Sequence, residues 1–211
     1  MPGAVPALHP QVRALLDGAW SQPLESVSPD IEAERAAYLQ TALELGGALE
    51  EVAQVEDLVV PGADGARMRA RAYWPRVPAD ALGAILWLHG GGWYLGDIEG
   101  FDRVTRQLAN ASGAVCVSVE YRLAPEHRYP AAVDDARAAA TWLAGNGAVE
   151  LGFDAQRLVV GGDSAGGNLA AVVARRAVGV LRAQLLAYPA LDAAMSADSY
   201  RECRDGPFVS A

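Results

Sequence analysis

Val159-Val160-Gly161-Gly162-Asp163-Ser164-Ala165-Gly166-Gly167-Asn168-Leu169 reads as an apolar strand, a glycine-lined turn and the start of an alanine-rich helix, with one serine at the apex. Gly162-Asp163-Ser164-Ala165-Gly166 fits G-x-S-x-G, in which a strained strand-to-helix turn lifts a serine hydroxyl clear of a sheet. Small residues two before and two after the serine suit such a turn, because strand and helix backbones pass close together there. The five-letter pattern also fits an ordinary βα turn. The strand before it and the helix after it favour the elbow, which makes Ser164 the candidate nucleophile.

Working outward, Ala84-Ile85-Leu86-Trp87-Leu88 is a second apolar run, and it ends in His89-Gly90-Gly91-Gly92-Trp93. A serine that attacks a carbonyl creates an oxyanion, which is best stabilised by preorganised backbone N–H groups. Consecutive glycines let the main chain aim such donors with no Cβ in the way. The bland reading of the same glycines is a flexible loop. His89 closes the strand, so it is expected to brace the glycine loop rather than to act as a general base.

These two blocks, with Tyr121-Arg122-Leu123-Ala124-Pro125-Glu126 between them, resemble the hormone-sensitive-lipase family of α/β-hydrolases, in its bacterial carboxylesterase branch. The blocks occur in the family's order at similar spacing, and the likeness runs from about Leu8 to Ala211. The resemblance implies a nucleophile at Ser164 and an oxyanion hole made by the backbone N–H groups of Gly91, Gly92 and Ala165. It also implies that Asp163 stands outside the triad, that short-chain acyl esters are the substrates, and that no cofactor or metal is needed.

The 211 residues suffice to bury a sizeable core, and 52% hydrophobic with 20% charged residues places the chain among globular proteins. A net charge of −9 argues against nucleic acid or an anionic membrane surface as partner. The start, Met1-Pro2-Gly3-Ala4-Val5-Pro6, lacks the regions of a signal peptide, and no apolar run could span a bilayer, so a cytoplasmic protein is expected. Of the two cysteines, Cys116 reads as a core thiol, and the role of Cys203 is not fixed by the sequence.

Strands are predicted at residues 56–60, 68–74, 84–88, 115–119, 158–161 and 183–188, with helices near 101–112, 131–144 and 165–178. The alternation predicts an α/β fold with a mostly parallel sheet of about six strands and helices on both faces. Residues 10–46 read as helical material broken by Pro23 and Pro29. By resemblance they form an N-terminal cap segment, which divides the chain into a cap region at 1–50 and a partial hydrolase core at 51–211. Trans is the ordinary state for Ala124–Pro125 and Tyr129–Pro130; the resemblance favours cis at the first.

A serine nucleophile needs a base that takes its proton and a carboxylate that orients the base. In α/β-hydrolases these follow the serine in the order Asp or Glu, then His. His9, His89 and His127 all precede Ser164. About six strands are visible where the fold normally has eight, with the acid after the seventh and the histidine after the eighth. Asp192 and Asp198 read as loop or cap residues, and His127 as a loop histidine. The expectation is a carboxylesterase seen here without its triad acid and histidine, inactive alone and completed by a C-terminal segment, with homo-oligomerisation open. The competing reading is a hydrolase-fold remnant that binds acyl ligands or a complementing partner without turnover.

Overall fold

The computed structural model describes residues 8–18, 30–177 and 179–202; Pro23, Pro29, Val178 and Cys203 lie outside them. The chain divides into two compact units, Glu32–Leu191 and the residues before and after that span. The smaller unit contains helix α1 (Pro10–Asp17) and the short C-terminal helix Asp198–Glu202. Its Asp192 carboxylate accepts from the N–H groups of Ala194 and Ser196 and from the Ser196 hydroxyl, which holds it below the usual carboxylate range.

The larger unit is built on six strands: β1 (Gln54–Pro61), β2 (Arg67–Trp74), β3 (Ala84–Leu88), β4 (Val115–Val119), β5 (Leu158–Asp163) and β6 (Ala183–Ala187). Their order is β1-β2-β4-β3-β5-β6. β2 runs antiparallel to β1 and β4, whereas β4, β3, β5 and β6 are mutually parallel. β3 and β4 are buried at every position. That is why each reads as an unbroken apolar run rather than an alternation, as in parallel strands covered on both faces.

Helices cover both faces. α4 (Ala131–Leu143) and α6 (Ser164–Arg176) enclose a core cluster that includes Leu86, Leu88, Val117, Val160 and Leu169. α3 (Ile98–Ser112) and Tyr38 of α2 (Ile31–Leu45) belong with a second cluster around Tyr73, Ile85, Trp87, Phe101 and Cys116. Cys116 is fully buried and free, set in register between Tyr73 on β2 and Ile85 on β3.

The sequence places the start of α3 near Phe101, but it begins at Ile98, because Asp97 accepts from the Gly100 N–H at 2.6 Å and caps the helix earlier. A helix absent from the sequence reading, α5 (Asn146–Leu151), lies between Gly145 and Gly152, the latter in the left-handed conformation that ends helices. Both Ala124–Pro125 and Tyr129–Pro130 are cis, so the ordinary trans expectation fails at both and the resemblance holds at the first. No described helix is long and apolar enough to cross a membrane.

Asp135 is the main buried ion in this unit. Its carboxylate accepts from the Ala63 and Arg122 N–H groups and from two nitrogens of the Arg122 guanidinium, at 2.8–3.0 Å. Desolvation opposes ionisation there, yet those four donors hold the group below the usual carboxylate range.

Candidate active site

β5 runs into α6 without an intervening loop, and Ser164 takes the turn with φ 50°, a backbone state that side-chain-bearing residues rarely adopt. The neighbouring backbones leave no room for side chains. A Cβ on Gly166 would stand 1.9 Å from the Leu88 carbonyl oxygen and 2.4 Å from that of His89. The glycine pattern of the elbow is therefore a packing requirement. Ser164 is half-buried, and Ala165 follows in the first turn of α6, where amides lack intrahelical carbonyl partners and carry partial positive charge.

Register brings the glycine loop to the same place. Leu88 of β3 pairs with Gly162 of β5, so the His89–Trp93 segment leaves the sheet beside the elbow. Gly90 N–H donates to Asp163 Oδ1 at 2.9 Å. A Cβ on Gly90 would meet Asp163 Oδ2 at 2.2 Å, which explains the glycine there. Asp163 is 8% exposed; burial pushes its carboxyl up to about 6, and the Gly90 hydrogen bond resists that rise. The residue before the serine thus fastens the glycine loop to the elbow.

Beyond Gly90 the loop is held in an unusual shape. Gly91, Gly92 and Trp93 have φ values of 119°, 60° and 65° in succession. The N–H groups of Tyr94 and Leu95 both donate to the Gly91 carbonyl, at 3.1 and 2.8 Å. After β6, the Ala190 N–H donates to the Ser164 carbonyl, and Asn168 Nδ2 donates to the Ala190 carbonyl at 2.9 Å, so this segment passes over the start of α6.

His89 is fully buried, with its ring stacked on Tyr121 at 4.4 Å between centroids. Its Nδ1 lies 2.8 Å from the Gly90 carbonyl, which can only accept, so Nδ1 carries the proton. Tyr121 donates its hydroxyl to the His89 carbonyl at 2.6 Å. Burial pushes the imidazole down to about 4, leaving it neutral at neutral pH. His127 is exposed on the loop after Pro125. His9 belongs to the smaller unit, where its Nδ1 accepts from the Gln11 N–H. Among the described residues no histidine is hydrogen-bonded to the Ser164 hydroxyl, and no group of His, Cys, Asp or Glu is arranged to hold a metal.

The structure therefore places Ser164 and Ala165 at one end of β5 and His89, Gly91 and Gly92 at the same end of β3. The sequence reading missed Asp163 as the link and Tyr121 as the plate under His89. Both lie in the motifs it quoted, but their partners are 73 and 32 residues away.

A family model described as the alpha/beta hydrolase fold matches residues 85–211. The carboxylesterase NlhH of Mycobacterium tuberculosis is 42% identical over 214 residues, covering 98% of this chain and 64% of that protein. An ethyl acetate hydrolase of Pseudomonas putida is 37% identical over 196 residues, covering 90% of this chain and 61% of that protein. The solved structure of a hyperthermophilic esterase from the archaeon Pyrobaculum calidifontis matches with a TM-score of 0.87 at 42% identity, over 97% of this chain and 67% of its own. The chain thus spans 61–64% of the length of these two curated relatives.

Proposed function

The chain belongs to the α/β-hydrolase family, in its hormone-sensitive-lipase branch, and from that premise we propose that the full-length protein is a carboxylic ester hydrolase acting on short-chain acyl esters. The observation that carries this reading is the Asp163–Gly90 hydrogen bond, which ties a strained serine elbow to a glycine loop held in a left-handed backbone. In the proposed reaction Ser164 Oγ attacks the acyl carbon while its proton passes to a base. The N–H groups of Gly91, Gly92 and Ala165 receive the oxyanion. Collapse of the tetrahedral intermediate expels the alcohol with that proton. Water then attacks the acyl-enzyme, releasing the acid and restoring Ser164. The chemistry calls on no cofactor. His89 supports the loop, and residues 1–50 contribute to a cap.

In this reading the base and its orienting acid are supplied from elsewhere in the full-length protein, as His89 is committed to its own loop, His127 is exposed and the His9 Nδ1 accepts from the Gln11 N–H. The alternative, a fold remnant that binds acyl ligands without turnover, is favoured by the same observation. Hydrolysis of p-nitrophenyl acetate and longer esters by the full-length protein separates the two. Turnover that disappears in Ser164→Ala, with folding intact, supports the enzyme. A wild-type protein without turnover supports the remnant, and undiminished activity in the variant removes Ser164 as nucleophile.

A further inference from the structure

Arg35, one turn into α2, has each guanidinium nitrogen engaged. Nε donates to the Tyr94 carbonyl at 3.0 Å, and Nη2 donates to the Ala124 carbonyl at 3.0 Å. Nη1 and Nη2 grip the Glu126 carboxylate in a fork at 2.9 and 2.8 Å, and Nη1 also donates to Glu32 at 3.0 Å. A planar guanidinium provides that fork, whereas an ammonium group cannot. One side chain therefore joins α2, the loop after β3 and the loop after β4.

One of the two carbonyls it holds, that of Tyr94, belongs to the turn that shapes the glycine loop, and the other, that of Ala124, belongs to a segment bonded to that turn. Tyr94, whose own N–H donates to the Gly91 carbonyl, is held at its carbonyl by Arg35. The Ala124 N–H donates to the Trp93 carbonyl at 2.9 Å, and the Ala124 carbonyl is in turn held by Arg35. The Tyr94 hydroxyl adds a bond to Glu34 on the same helix at 2.9 Å. Peptide planarity carries these constraints to the amides that matter. The Gly91 carbonyl and the Gly92 N–H share one plane, so fixing the carbonyl toward Tyr94 and Leu95 aims that N–H the opposite way. Three successive left-handed residues are costly for Trp93 and persist only under restraint from outside the loop.

We propose that Arg35 is a positioning residue for the oxyanion loop, clamping the outer side of the 91–95 turn as Asp163 clamps its inner side at Gly90. The catalytic part of this proposal rests on the ester-hydrolase reading above. It makes α2 a fixed support of the site rather than a lid that opens as a whole.

The test uses the full-length protein with Arg35→Lys and Arg35→Met, compared with Arg35 intact, and has two readouts. The first is steady-state hydrolysis of p-nitrophenyl esters. kcat is expected to fall roughly ten- to a hundred-fold, below the loss for deleting an oxyanion donor. KM is expected to change little, as for an interaction made in the transition state. Arg35→Lys should share most of the loss, since the charge without the fork does not reach both carbonyls. The second is amide hydrogen exchange, which needs no activity. Exchange at Tyr94, Leu95 and Ala124 should quicken by roughly ten-fold or more while β3 and β5 stay protected, which also verifies folding. Unchanged exchange at those amides overturns the clamp whatever the kinetics show. Full activity in Arg35→Lys overturns it as well. Faster exchange in a protein whose parent hydrolyses no ester supports the clamp and sinks the ester-hydrolase reading instead.

Discussion

Asp163→Asn isolates the energetic consequence of burying an acid next to the nucleophile elbow. The substitution is nearly isosteric and leaves an oxygen to accept from the Gly90 N–H, now 2.9 Å from Oδ1. What it removes is the ionisation. Asp163 titrates at about 6 in the folded protein, above the ordinary aspartate value of 3.8, with desolvation as the main cause. A raised folded-state value means that the folded chain holds its proton more tightly than the unfolded chain does. The resulting stabilisation is complete below 3.8 and disappears as pH rises through about 6. Carboxylates such as Asp135 and Asp57 titrate in the opposite sense, but they are common to both proteins and cancel in the difference. Denaturant unfolding of parent and variant should therefore diverge with pH. The variant should gain about 2 kcal/mol on the parent between roughly pH 4.5 and pH 7.5. A difference that stays flat within about 0.5 kcal/mol over that range would show that the carboxylate is not desolvated in the folded chain, and the argument from its burial would fail.

Other outcomes follow from features of the same unit. Asp135→Ala should cost about 3–5 kcal/mol in chemical denaturation, because it leaves the Arg122 guanidinium and two backbone N–H groups without their acceptor; a cost under 1 kcal/mol would refute this. Gly166→Ala should reduce stability by about 3 kcal/mol or prevent folding, since its Cβ has only 1.9 Å to the Leu88 carbonyl oxygen. Ser164→Gly should raise the thermal midpoint, relieving about 1 kcal/mol of strain at φ 50° while abolishing any hydrolysis; a lowered midpoint contradicts the strain. The 211-residue chain should associate with increasing concentration in sedimentation velocity, because no described strand pairs with the outer edge of β6, where Leu185 is 42% exposed. Leu185→Lys should suppress that association.

How much of this was legible in the sequence depends on the range of each constraint. The elbow and the glycine loop stand out because close backbone approach demands glycine at fixed short spacings, as at Gly162 and Gly166. The buried strands β3 and β4 stand out as pure apolar runs. The order β1-β2-β4-β3-β5-β6 is not written in any local pattern, since it depends on which strands pair after the chain crosses over. Arg35 and Glu126 carry ordinary surface-type charges in sequence, and only folding brings them together across 91 positions. The early start of α3 was readable, because Asp97 is a good capping residue three places before Gly100. The short helix α5 was not, since glycines at 145, 147 and 152 resemble a linker.

The placement of Cys116 has a practical consequence. Its thiol sits at the centre of the sheet, between Tyr73 and Ile85, with no solvent exposure, and burial pushes it well above the usual thiol range. A thiolate is the form that alkylating and disulfide reagents attack. Such reagents therefore gain access at this position only when the cluster around it opens, as when α3, which contributes Phe101 and Ala109, lifts from β4. The rate of Cys116 modification, followed by mass spectrometry at the peptide level, thus serves as a clock for the opening of this helix-covered face of the sheet. It counts rare excursions of the folded protein directly, with no denaturant and no substrate.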